Sequence, residues 1–355
     1  MTKKILLLST PVGAIGSGLG GGVELTLQNL AQEMQDRGYD LKVVAPKKSH
    51  LPGIEVIEIE GNLQIPAQTQ SRTAPAILPT NSVLANMWEY ARKVQFEYDL
   101  LVNFAFDWLP FYLTSFFNVP IAHFISMGSM SESLDLIISK VAQKFPKTLA
   151  VCTQSQANTF PFPESFRCLG MGCGIDLSLY EFCAQPGQSL AWVGRIAPEK
   201  ALEDAVAASQ ITGIPLRIFG KIQDDHYWQQ ISRDYPQAPL EYVGFLSTDR
   251  LQKELGKSQA LLMTPRWVEA FGNVVIEALA CGVPVISYAR GGPTEIVKEG
   301  KTGFLVQPDS IEGLVAAIKR IPDIDRFACR QQAENEYSLK VWGDKFEVWF
   351  EDILG

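Results

Sequence analysis

Two glutamates stand eight residues apart in Arg266-Trp267-Val268-Glu269-Ala270-Phe271-Gly272-Asn273-Val274-Val275-Ile276-Glu277, one before and one inside a helix expected to begin at Phe271-Gly272. A helix start leaves its first backbone N–H groups without internal partners and carries a partial positive charge. Phe271, Gly272 and Asn273 therefore suit a diphosphate, and the glycine lets it come close. Glu269, ahead of the helix, can face a sugar's hydroxyls, while Glu277, roughly 12 Å further along at about 1.5 Å per residue, can reach a ribose. One chain element would read sugar, diphosphate and ribose in order. Gly194-Arg195-Ile196-Ala197-Pro198-Glu199-Lys200 adds an arginine and a lysine directly behind a strand, at the carboxyl edge where such sheets bind ligands. Two fixed cations there suit the same diphosphate.

In the first half, Asn103-Phe104-Ala105-Phe106-Asp107-Trp108 combines aromatic faces with one carboxylate at a strand end. A flat, nitrogen-rich ring could stack and pair there. The plainer alternative makes Phe104 and Phe106 core and Asp107 the N-cap of a following helix. Gly16-Ser17-Gly18-Leu19-Gly20-Gly21 satisfies the G-x-G-x-x-G dinucleotide pattern, but its first glycine comes late after the strand ending near Ser9. The second strand runs into Pro46-Lys47-Lys48 without the ribose-binding acid, although the lysines leave room for a phosphorylated dinucleotide, and so for an NADP-dependent oxidoreductase. Asp323-Ile324-Asp325 lies beside Pro322 in an expected helix connection, so no metal is assigned.

These groups need rigid elements behind them. Ile5–Ser9 reads as a buried strand, followed by a Gly-rich loop, a helix with Leu27, Leu30, Ala31 and Met34 at helical spacing, and a strand Leu41–Ala45. Such β-α-β units build parallel sheets. Further strands are expected at Glu55–Ile59, Leu100–Phe104, Ile121–Phe124 and Leu149–Cys152, with an irregular insertion over 61–82. The programme restarts at Leu190–Gly194 and continues through Leu216–Phe219, Glu241–Val243, Ala260–Met263 and Val283–Ser287. Helices are expected at Leu202–Gln210, Thr248–Gly256, Asn273–Cys281 and Ile311–Arg320. The sequence thus predicts two doubly wound α/β domains, 1–183 and 184–337. A last helix over 338–355, greasy on overlapping faces, is expected to pack back on the first domain.

The 355 residues suit two cores, and 46% apolar with 20% charged residues is the composition of a folded chain. The net charge of −8 is shared by both halves, so neither offers the clustered Lys and Arg that nucleic acid or an anionic membrane requires. Stable membrane association is not expected. Six cysteines without a C-x-x-C pair, and a first strand almost at Met1, point to the cytoplasm. Nothing in the sequence speaks to an oligomer.

Together with Arg290-Gly291-Gly292-Pro293-Thr294-Glu295 and Gly300-Lys301-Thr302-Gly303-Phe304, the second-half motifs resemble the donor half of family 4 retaining glycosyltransferases of GT-B architecture. Gly20-Gly21-Gly22-Val23-Glu24 and Arg37–Val43 resemble that family's amino-terminal signature. The resemblance implies two Rossmann-like domains facing a central cleft and a metal-independent hexosyl transfer. It implies that Arg195 and Lys200 neutralise the donor diphosphate, that Glu269 holds the transferred sugar, and that His123 shares the catalytic cleft with Gly21. Gly22, Phe271, Gly272, Asn273, Glu277, Gly194, Gly244 and Phe245 would complete the donor site, and Glu24, Asp107 and Trp108 would meet the acceptor. The implied donor is a UDP-sugar, with UDP-glucose the favoured form, and no tightly bound cofactor is implied. Ser9–Gly13 and Asn103–Pro110 make the chain similar to tetrahydrobiopterin glucosyltransferases, which implies a pteridine acceptor. Saccharide and lipid acceptors are the alternatives within the family.

Overall fold

The structure, a computed structural model, describes residues 2–17, 21–170 and 172–355. The chain divides into two compact units, Met1–Gly174 with Leu339–Gly355, and Ile175–Ser338. The first unit alternates β1 (Lys4–Leu8), α1 (Gly22–Asp36), β2 (Asp40–Pro46), β3 (Glu55–Ile59), α2 (Val83–Val94), β4 (Leu100–Asn103), α3 (Trp108–Leu113), β5 (Ile121–Ile125), α4 (Glu132–Lys144), β6 (Leu149–Val151), α5 (Gln154–Ala157) and β7 (Arg167–Cys168). Its strands are parallel, in the order β3-β2-β1-β4-β5-β6-β7. A sheet covered on both faces needs apolar residues in succession, and Ile5 to Leu8 are all buried. Alpha-1 turns Leu27, Leu30, Ala31 and Met34 inward, as their spacing predicts.

The second unit repeats the plan with β8 (Leu190–Val193), α6 (Leu202–Thr212), β9 (Leu216–Phe219), α7 (Asp225–Asp234), β10 (Leu240–Gly244), α8 (Thr248–Gly256), β11 (Leu261–Met263), α9 (Asn273–Ala280), β12 (Val285–Tyr288), α10 (Pro293–Ile296), β13 (Gly303–Val306), α11 (Ile311–Arg320) and α12 (Arg326–Tyr337). The order is β10-β9-β8-β11-β12-β13, again parallel. In each sheet the order reverses once, beside β1 and β4 in the first unit and beside β8 and β11 in the second. Loops leaving the carboxyl ends of those strands diverge there and open a crevice.

The last helix, α13 (Leu339–Leu354), belongs to the first unit. Trp342, Phe346, Trp349 and Phe350 are fully buried, and the Trp349 indole N–H donates to the Lys147 carbonyl at 2.7 Å. Arg37 of α1 pairs with Asp344 and Glu347, both at 2.8 Å. The boundary between units falls at 174/175 rather than 183/184. The cause lies in residues 175–183, which hydrogen-bond into the second unit: Ile175 N to Tyr337 O at 2.8 Å, Glu181 N to Gln252 Oε1 at 3.0 Å and Cys183 N to Cys281 O at 3.1 Å. No helix among the described residues is long and apolar enough to cross a membrane.

Candidate functional site

Three strand ends of the second unit set the floor of its crevice. The Gly194 amide donates to the Phe219 carbonyl, and the Gly220 amide to the Gly244 carbonyl, both at 3.0 Å. Gly220 has φ +145°, and a Cβ there would lie 1.8 Å from the Gly194 carbonyl oxygen, so glycine alone fits. Beyond Gly244 the Phe245 ring is exposed, with the Lys221 ammonium 4.8 Å from its centroid.

Arg195 leaves this floor and donates to Gln223 Oε1, pairing also with Glu199 at 3.2 Å. Lys200 takes a different partner from the one its spacing suggests. Its ammonium donates to Glu269 Oε2 at 2.5 Å, and the Trp267 indole N–H donates to the same oxygen at 2.9 Å. The ammonium also lies 4.6 Å from the Trp267 ring centroid. Burial would raise the Glu269 carboxyl, but the charge and hydrogen bond of Lys200 outweigh it and hold the group below its ordinary value. Lys200 and Glu269, expected to serve diphosphate and sugar separately, are one coupled pair.

The backbone beneath Glu269 is fixed by a second glycine turn. The Gly292 amide donates to the Glu269 carbonyl at 2.7 Å, and a Cβ on Gly292 would come within 2.4 Å of the Phe271 carbonyl oxygen. From there Phe271, which is buried, leads to Gly272 at φ +97°, the N-cap of α9. Among the described residues no acceptor meets the amides of Gly272 and Asn273, and the Asn273 Oδ1 is buried without a partner. The two amides are the unsatisfied donors a diphosphate would engage. About one turn along α9, Glu277 is partly buried and hydrogen-bonded by Tyr180, and burial pushes its carboxyl up to about 7.

In the first unit Gly21, at φ +60°, is the N-cap of α1 and Gly22 its first residue. Gly18, Leu19 and Gly20 lie outside the described residues, and with them much of the G-x-G-x-x-G pattern and the first glycine of the amino-terminal signature. Glu24 does not project as an acceptor ligand. It is 8% exposed and turns back on its own loop, accepting from the Gly16 amide at 2.9 Å and the Ser17 hydroxyl at 3.4 Å. His123 does not reach the surface of its unit: it sits within β5 at 0% exposure. One ring nitrogen meets Asn103 Nδ2 at 3.1 Å and the other Thr114 Oγ1 at 2.9 Å, and Phe111 stacks on the imidazole at 4.6 Å. Burial pushes its pKa down to about 3, so it stays neutral.

Asp107 is the N-cap of the plainer alternative. It caps α3, accepting from the Leu109 amide at 3.4 Å, and its other oxygen accepts from Gln64 Nε2 at 2.8 Å. Burial raises its pKa. Asp107, Phe106 and Trp108 line a cavity of about 100 Å³ with Thr10, Gln64 and Met127, while Phe104 is core and Trp108 stacks on Tyr112 at 4.5 Å. Sequence reasoning missed Gln64, Trp267 and Tyr180. Trp267 was within reach of it, lying two positions before Glu269 in the segment that carries the donor motif.

Residues 187–337 match the family described as Glycosyl transferases group 1. Glycogen synthase of Mycobacterium tuberculosis is 32% identical over 170 residues, 45% of this chain and 41% of that protein. Sulfoquinovosyl transferase SQD2 of Arabidopsis thaliana is 32% identical over 132 residues, 36% of this chain and 25% of its own length. The chain therefore spans less than half of either relative. Among solved structures, Anabaena Alr3699/HepE in complex with UDP and glucose shares 17% identity, with 99% of this chain and 100% of that one covered and a TM-score of 0.76. Sucrose-phosphate synthase from Thermosynechococcus elongatus shares 18%, with 99% of both chains covered and a TM-score of 0.80. The fold is that of GT-B glycosyltransferases, two parallel Rossmann-like α/β sheets, and the second unit carries the group 1 glycosyltransferase match.

Proposed function

We propose that the chain is a retaining hexosyltransferase that moves glucose from UDP-glucose to a hydroxyl of a small acceptor, a pteridine such as tetrahydrobiopterin. The observation that carries the donor half of this reading is the Lys200–Glu269–Trp267 cluster one turn ahead of the open α9 amides. A diphosphate at those amides gains both backbone donors and the helix dipole. When a sugar hydroxyl donates to Glu269, the carboxylate is shared and the Lys200 ammonium becomes available to phosphate oxygens. Arg195 supplies the second cation and Glu277 accepts from the ribose. The similarity to glycogen synthase and to a sulfoquinovosyl transferase supports sugar transfer, and the UDP and glucose held by the Anabaena relative support this donor.

In the transfer itself the anomeric carbon–phosphate oxygen bond breaks as the acceptor's hydroxyl oxygen bonds to that carbon on the same face. The acceptor proton passes to the departing phosphate oxygen, so configuration is retained. Arg195 and Lys200 stabilise the charge that develops on the diphosphate, an effect of about 3 to 4 kcal/mol for a well-placed donor. The pteridine part of the proposal rests on Asp107 with the aromatic residues around it. Incubation of the protein with UDP-glucose and either tetrahydrobiopterin or simple sugars tests it. An α-linked pterin glucoside formed together with UDP supports the whole proposal, whereas transfer to sugars alone removes the pteridine and keeps the donor.

A further inference from the structure

We infer that the first-unit cavity selects its ligand by charge, taking a neutral or cationic hydrogen-bond donor and refusing anions, with Asp107 as the selecting group and Gln64 as the residue that positions it. The inference rests on reading the first unit as the acceptor half and names the acceptor class. Of the described residues lining the cavity, Asp107 alone carries a formal charge; the rest are apolar, hydroxyl, amide or thioether side chains and the Trp108 indole. The one basic residue of the 61–82 excursion, Arg72, is committed elsewhere. Its guanidinium donates to Asp135 Oδ2 at 2.9 Å and to Ser129 Oγ at 2.9 Å. A phosphate or carboxylate entering this space would meet a fixed negative charge and find no side-chain cation to offset its lost hydration.

Gln64 gives Asp107 its fixed place. Only 7% exposed, it donates through Nε2 to Asp107 Oδ2 at 2.8 Å and to the Ile77 carbonyl at 3.2 Å, while its own amide donates to the Pro11 carbonyl at 3.1 Å. One side chain thereby ties both arms of the excursion to the cap of α3. A carboxylate offers about four acceptor positions, and Gln64 with the Leu109 amide leaves room for a ligand N–H or O–H. Ile65 and Ile77, each 70% exposed, line the same cavity and give the ligand an apolar edge.

Three one-ring probes differing in charge test this on the whole protein: benzylamine, benzyl alcohol and benzyl phosphate, titrated by ligand-observed NMR. Benzylamine is expected to bind at least about tenfold tighter than benzyl phosphate. Asp107→Asn, which keeps the side-chain shape and the cap oxygen, is expected to bring the amine-to-alcohol ratio within about threefold of unity, and Gln64→Leu to lower that ratio without abolishing alcohol binding. Circular dichroism of each variant confirms the fold. The inference is overturned if benzyl phosphate binds the wild type as well as the amine does, if no probe binds, or if Asp107→Asn leaves the ratio unchanged. UDP titration of the wild-type sample separates this from the donor reading: lost UDP binding with intact charge selection sinks the donor, and the reverse sinks the selection.

Discussion

Glu269 and Glu277 differ in what surrounds them, and the difference is measurable. Glu269 has a cation and an indole N–H at one oxygen, so it is ionised in spite of burial. Glu269→Gln is expected to preserve folding and leave UDP affinity within about threefold while lowering transfer at least about tenfold; unchanged turnover would remove its role. Among the described residues no cation pairs with Glu277, and burial pushes its carboxyl up to about 7, against 4.5 for the free group. Between those values the folded chain holds a proton that the unfolded chain has lost, so stability falls as pH rises through the window. Replacing Glu277 by Gln should therefore flatten the decline in denaturation midpoint between pH 5 and pH 8, and a parallel decline in both proteins would contradict the assignment. His123 shows what single residues conceal. Its place on a strand was legible, but the partners that bury it, Asn103 and Thr114, lie on other elements and are not announced by spacing.

At the scale of elements, the donor loop depends on a close approach of two glycine turns. Gly292→Ala would force its Cβ against the Phe271 backbone and displace the start of α9, so UDP affinity should fall by more than about tenfold, read by calorimetry. Retained affinity would mean that the α9 amides do not bind diphosphate. Alpha-13 is expected to matter differently. Phe346 packs against Phe124, Trp342, Trp349 and Phe350, so Phe346→Ala should cost about 3 to 5 kcal/mol in a denaturant titration. The parallel strands were readable because a strand buried on both faces is a continuous apolar run, as in Ile5–Leu8 and Leu100–Val102. Beta-7, with two residues, carries no such run, and β13, whose Phe304-Leu305-Val306 follows directly on a Gly-Lys-Thr-Gly turn, went unread. The donor motif was legible because its residues are contiguous. The Lys200–Glu269 pairing was not, since it joins loops after different strands.

For the whole molecule, the chemistry is unevenly written. The second unit carries the family match and the proposed donor groups, while the first unit's cavity is lined in part by the excursion over 61–82, whose irregular backbone offers no periodicity to read. With Arg195 and Lys200 as the proposed counter-charges to the leaving diphosphate, turnover should survive EDTA; its loss, restored by a divalent cation, would reassign that task. The central claim, a uridine diphosphate site in the second unit, is tested most directly by thermal stabilisation with UDP, UDP-glucose, GDP, ADP and NADPH in parallel. A ligand at 100 times its dissociation constant contributes about 2.7 kcal/mol, enough to raise the melting point by several degrees. Selective stabilisation by UDP and UDP-glucose is the expected result. Selective stabilisation by NADPH would contradict it and return the Gly-rich loop after β1 to the role of a dinucleotide site.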